Sequence, residues 1–273
     1  KNLHRQGLIC AACHVRNNQR YGPTRKDGSM AEQDAKPDSS GQPHDGWILN
    51  PAFEDSLFCA SCHQFEANEY SLNGKLLENT YVEWKQSKYA REGVHCQNCH
   101  MPERKHQWRG IHDPEMVRKG VTIETKAKKL NNPQLQAQMT ISNTGTGHRF
   151  PTYVTPQVVM MGYQESASGT QISGTESYFV VARRVLLDLS QEVFDTRLAP
   201  GETASLDYEM ARHPQASHLV MKIYVEPDKF YQGFYTSMLQ SGRMGPGASM
   251  LQEALDQAQQ SMFTLYELRL ELP

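Results

Sequence analysis

No stretch of this 273-residue chain is apolar for long enough to span a membrane. No run of basic residues marks a membrane-binding surface, and a net charge of -2 with a pI near 6.6 argues against nucleic acid as a partner. No leader with an apolar core opens the sequence. Large apolar side chains are scarce in the first part. Residues 1–115 hold 13 Ile, Leu and Val and three Phe, about 14% of that stretch, against 14 Lys plus Arg and 15 Asp plus Glu. Such a segment cannot bury enough apolar side chain to offset its chain entropy, and it reads as disordered unless something else supplies the surface. There is also no spare cysteine, because all six fall into one repeated pattern.

That pattern is Cys-x-x-Cys-His, found at Cys10–Cys13–His14, Cys59–Cys62–His63 and Cys96–Cys99–His100. It is the attachment signal of a c-type haem, in which both cysteines bond to the porphyrin edge and the following histidine ligates the iron. Two intervening residues put the sulfurs on one helical turn and bring the imidazole under the metal. A structural zinc would use two Cys-x-x-Cys pairs and strand the third. A thioredoxin-like pair belongs in a βαβ context, and disulfides across two-residue gaps would close only tiny loops. Three covalently bound haems c follow, and three buried macrocycles would also provide the missing apolar surface. The motif starts lie 49 and 37 residues apart, close enough for direct electron hopping between haems.

Eight histidines remain as candidates for the sixth position on each iron. His148 leads, in Asn143-Thr144-Gly145-Thr146-Gly147-His148-Arg149-Phe150-Pro151, a loop whose glycines permit close approach of backbone to a flat ligand. His44 lies in the loop before the second motif. His106 and His112 follow the third, with His112 slightly favoured and Asp113 placed to orient it. His4 is a candidate for a haem of this chain or of a neighbouring subunit. His95 is tethered beside Cys96 and is poorly placed, while His213 and His218 read as surface residues. Arg16 and Arg20 are candidates for pairing with haem propionates.

Residues 21–46 read as an irregular loop and 65–92 as helical, with Trp84, Lys85, Lys88 and Arg91 on a partly exposed face. From about Gly120 the pattern becomes period-two alternation, as in Leu135, Ala137, Met139, Ile141 and in Ala204, Leu206, Tyr208, Met210. Further strands are expected at 121–125, 155–164, 178–189, 219–225 and 263–272, with a turn at Pro200-Gly201 and a helix over 247–261. The expected fold class is α+β. An irregular, helical three-haem cytochrome domain over 1–119 precedes a β-sandwich-like domain over 120–273 that closes with a helix and a strand.

The three motifs, with Cys99-His100-Met101-Pro102 and Gly147-His148-Arg149-Phe150-Pro151-Thr152, resemble the multihaem c-type cytochromes that join an N-terminal haem-binding region to a C-terminal β-domain. The resemblance covers most of residues 4–160. It implies that His148 reaches across as a distal haem ligand. The function expected is single-electron transfer through three bis-histidine haems, with redox proteins or neighbouring cytochrome subunits as partners. A homo-oligomer or an extracellular cytochrome filament is a special version of this. The competing reading is a redox enzyme acting on a small nitrogen or sulfur compound at one open haem. Covalent haem attachment normally takes place outside the cytoplasm. An exported form, periplasmic or extracellular, is therefore expected, or a piece of a longer multihaem protein.

Overall fold

The computed structural model describes residues 7–26 and 47–273, and along the chain short helical turns give way to long strands. The first motif is itself a single turn, α1 (Cys10–His14), running into a small ribbon of β1 (Val15–Arg16) and β2 (Gln19–Gly22), with β3 (Ile48–Leu49) added parallel to β2. The second motif ends α2 (Ser56–His63), whose start is capped by Asp55 accepting from the Leu57 N–H at 2.7 Å.

Residues 65–92 are not one helix. Asn73 and Gly74 both take positive φ, 53° and 70°, and turn β4 (Ser71–Leu72) back onto β5 (Lys75–Leu76). Asn-Gly suits that turn because both central residues must enter the left-handed region. Helix follows only in α3 (Thr80–Lys85) and α4 (Lys88–Arg91), the second started by Ser87. Gly93 at φ 70° ends α4, and the third motif forms α5 (Cys96–His100). Asp113 then caps α6 (Pro114–Gly120), accepting from the N–H groups of Glu115 and Met116 at 3.0 Å each.

The alternating half forms β6 (Val121–Lys129), β7 (Gln134–Asn143), β8 (Gln157–Ser166), β9 (Ser177–Val185), β10 (Glu192–Asp195), β11 (Thr203–Ala211) and β12 (Ala216–Glu226). The helical pair α7 (Lys229–Gln240) and α8 (Ala248–Gln260) precedes β13 (Phe263–Glu271). Five strands pair in the order β10-β9-β8-β12-β13 and three in the order β11-β7-β6, all antiparallel. Leu135, Met139, Ile141, Leu206 and Tyr208 from the small sheet share one core with Val158, Met160, Val181, Leu219, Met221 and Ile223 from the large one. Burying each such side chain contributes about 1.5–3 kcal/mol. β8 and β12, central in the larger sheet, also bury Met161, Tyr163 and Val220, which is why β8 reads as an unbroken apolar run. Among the described residues no helix is long and apolar enough to cross a membrane.

The β4–β5 hairpin is tied to the sandwich by a fully buried guanidinium. Arg183 donates to the carbonyls of Leu72, Lys75 and Leu76 at 3.2, 3.0 and 2.6 Å and pairs with Glu192 at 2.9 Å. Lys75 adds ion pairs to Glu192 and Asp195 at 2.7 and 2.6 Å. The motif-bearing segment is thereby held against the large sheet.

Candidate haem-binding site

The second and third motifs meet at their first cysteines. Ser56 Oγ, at the start of α2, accepts from the Cys96 N–H at 3.0 Å, and Gln97 Nε2 donates to the Phe53 and Asp55 carbonyls. The Cys59 and Cys96 thiols are within hydrogen-bonding reach. That bond, with burial, pushes the Cys59 thiol far up, and the same bond draws Cys96 down to about 7. Cys13 is near enough to Cys59 to act on it electrostatically, so a cysteine of each motif lies in one region.

Three histidines share one hydrogen-bonding arrangement. His14, His100 and His148 place Nδ1 at 2.7, 2.5 and 2.8 Å from the carbonyl oxygens of Tyr21, Arg109 and Arg149. A carbonyl only accepts, so each Nδ1 carries the proton and each Nε2 presents a lone pair. Metal-binding imidazoles are oriented in this way. The rings also face partners. His148, from the loop after β7, stands 6.3 Å from His100 between ring centroids with the planes 18° apart. His106 stands 6.0 Å from His14 with the planes at 53°, and Phe53 stacks on His14 at 4.9 Å. A metal–imidazole bond of about 2 Å on each side, added to two ring radii, separates two axial imidazoles by roughly 6 Å. The centroid separations of both pairs match that spacing. Among the described residues no three or more His, Cys, Asp or Glu groups converge as a bare chelated ion would require.

The His148 loop is held rigidly. Asn143 donates to the carbonyls of His148 and Leu198, both at 2.9 Å, and accepts from the Thr146 hydroxyl at 2.7 Å. The Arg149 N–H donates to Glu83 at 2.9 Å. The glycines serve contacts within the protein. A Cβ on Gly145 would sit 2.1 Å from the Lys119 carbonyl, and one on Gly147 would crowd Trp84 and Ser87. Burial, with His100 and His63 nearby, outweighs the Arg149 hydrogen bond and pushes the His148 imidazole down to about 4. His63 is likewise lowered, by burial and then by His100, so the second and third sites are close neighbours.

The other predicted histidines fall elsewhere. His112, slightly favoured over His106, has its Nε2 2.9 Å from Asp228 at the start of α7 and does not face a motif histidine. Asp113 does not orient it: that carboxylate pairs with Arg109 at 2.5 Å and caps α6. Asp228, 116 residues away, was invisible to motif reading. His95 Nδ1 accepts from the Ser56 N–H at 3.2 Å and so joins α2 to α5. His213 Nδ1 accepts from Gln215 in a turn. Arg16 is exposed and donates to the neighbouring Val15 carbonyl. His4 and His44 lie outside the described residues.

Solved structures supply a match to this fold. A penta-haem cytochrome c552 from Thermochromatium tepidum superposes with a TM-score of 0.61 at 18% identity, over 93% of this chain and 68% of that one. The chain has the fold of a multihaem cytochrome c. No protein-family model and no curated protein matches it. A Bacteroides uniformis β-glucuronidase 2 and the putative ApaA protein of Bordetella pertussis match about 40% and 38% of the chain at TM-scores of 0.22 and 0.21, too low to bear on it. The neighbour's five haems belong to a longer protein, and this chain has three Cys-x-x-Cys-His motifs.

Proposed function

We propose that this chain is an exported multihaem c-type cytochrome that carries single electrons through three haems. These would be attached at Cys10 and Cys13, Cys59 and Cys62, and Cys96 and Cys99, with His14, His63 and His100 as proximal ligands. His106 would complete the first site and His148 the third. For the His63 site the candidates are His4 and His44. The observation that carries the reading is the His100–His148 pair, in which the β-half supplies an imidazole facing a motif histidine 6.3 Å away.

Haem, when bound, supplies one-electron iron chemistry. The chain's own groups set its conditions. The carbonyls of Tyr21, Arg109 and Arg149 fix the imidazole tautomers and raise their basicity. Phe53 stacks on the His14 ring at 4.9 Å. The closeness of Cys59 and Cys96 favours short edge-to-edge passage between the second and third sites. With His106 and His148 as ligands, the first and third sites would have no open position, so the enzyme reading would rest on the His63 site alone. Redox proteins or neighbouring cytochrome subunits, including those of a filament, are the partners this implies.

A pyridine haemochrome assay on protein made with a c-type maturation system tests the proposal. Three haem equivalents per polypeptide are expected, and none or one would refute it. A high-spin ferric resonance that shifts on adding nitrite would favour the enzyme instead.

A further inference from the structure

A cleft of about 600 Å³ lies on the back of the His148 loop, where α3 and α4 meet the sandwich. Glu83, Lys88 and Arg91 line one side, and Thr146 and Arg149 the other, with Pro200-Gly201 at the rim. The charges do not cancel. Glu83 accepts from the Arg149 N–H and lies 3.9 Å from both the Arg149 and Arg197 guanidinium groups, while Glu202 lies 3.8 Å from Arg149. Arg197 is held mainly by Asp195, at 2.8 and 2.9 Å, and Glu83 and Glu202 answer Arg149, whereas among the described residues Lys88 and Arg91 have no carboxylate of their own. Both are exposed. Lys88 Nζ sits 5.0 Å over the Tyr89 ring and Arg91 donates to the Gln86 carbonyl, and among the described residues neither is paired with a carboxylate.

We infer that this cleft docks an acidic segment of a protein redox partner. The inference rests on the electron-transfer reading and names where electrons enter or leave. Arg149 follows His148 directly in the chain, so a partner seated here is one residue from the imidazole facing His100. Uncompensated cations standing on an open rim steer and orient a large anionic surface. A small oxyanion would need donors that enclose it, and the exposed Lys88 and Arg91 do not.

The test uses holoprotein whose haem content is measured first, so a lack of haem is recognised as failure of the functional reading alone. Fluorescein-labelled octaglutamate is titrated in at low salt and followed by fluorescence anisotropy, a readout that needs no redox activity. Wild-type binding should weaken steeply with added salt. The double variant Lys88→Glu with Arg91→Glu should bind about tenfold more weakly or worse. Lys126→Glu with Lys129→Glu, an equal change in net charge at the far end of β6, should change binding less than about twofold. In stopped flow, ferricyanide should oxidise the reduced cleft variant more slowly than wild type, and a cationic cobalt complex more quickly. No peptide binding by wild type, or equal losses in both double variants, would overturn the inference. So would displacement of the peptide by inorganic phosphate where chloride of equal ionic strength has no effect, since that marks a small-oxyanion site.

Discussion

Replacing Asn143 by Ala should loosen the loop that presents His148 while leaving the imidazole itself in place. Asn143 is 1% exposed and its side chain makes four hydrogen bonds. Its amide donates to the His148 and Leu198 carbonyls, and its Oδ1 accepts from Thr146 N and Oγ1 at 3.3 and 2.7 Å. Truncation strands neither carbonyl, because the Thr146 hydroxyl, released from Asn143 Oδ1, is free to donate its one proton to His148 O 2.6 Å away, and Phe150 N donates to Leu198 O at 2.8 Å. The cost is then the net worth of the lost bonds, about 1 kcal/mol apiece with partial compensation, plus a small cavity. A loss of roughly 2–4 kcal/mol is expected in guanidinium denaturation of the holoprotein followed by far-ultraviolet circular dichroism. The low-spin spectrum of the third site should weaken in parallel. Asn143→Asp keeps the shape but sets a carboxylate against two carbonyl oxygens, so it should cost at least as much at neutral pH. An Asn143→Ala variant within about 0.5 kcal/mol of wild type, with an unchanged haem spectrum, would show that this residue does not hold the loop.

Other outcomes follow from the same geometry. His106→Ala and His148→Ala should each convert one haem to a high-spin or exogenously ligated form in electron paramagnetic resonance, whereas His112→Ala should leave all haems as they were. Arg183→Met should destabilise the fold by about 3–5 kcal/mol, since it strips a buried ion pair and three carbonyl contacts, and limited proteolysis should then cut near the β4–β5 hairpin first. Burial and the nearby Glu83, partly offset by Arg197, push the Glu78 carboxyl up to about 7, and its Oε2 has no hydrogen-bond partner. A raised carboxyl pKa means the folded state keeps its proton longer than the unfolded chain. The resulting penalty is absent below about pH 4, grows as pH rises to 7 and is then constant. Glu78→Gln should therefore stabilise the protein at pH 8 and leave it little changed at pH 4. Thermal melts at both values check this, and an equal effect at the two would refute the assignment.

Part of this arrangement could be read along the chain because its causes are local. Period-two alternation at 135–141 and 204–210 became β7 and β11, since a half-buried strand shows its inner face every second residue. The Pro200-Gly201 turn and a helix close to 247–261 are also present, with Gly201 at φ 87° and α8 over Ala248–Gln260. The β4–β5 hairpin was legible in Asn73-Gly74 but was absorbed into an expected helix. Charged and aromatic residues between 65 and 92 had mimicked a helical face.

What the sequence alone determined is the chemistry each motif can offer: paired thiols with an imidazole beside them, three times over, in a stretch too poor in apolar side chains to fold unaided. Which imidazole faces which was decided only in three dimensions. Trp108, at φ 49°, helps turn the segment after α5, and His106 comes to face His14. Asp228, far along the chain, holds His112 away from the motif histidines. The Asn143 hydrogen bonds aim His148 at His100 from the β-half. Spacing encodes contacts within a helical turn or a strand. Pairings between groups some fifty or a hundred residues apart depend on how the halves pack, and no local pattern records that.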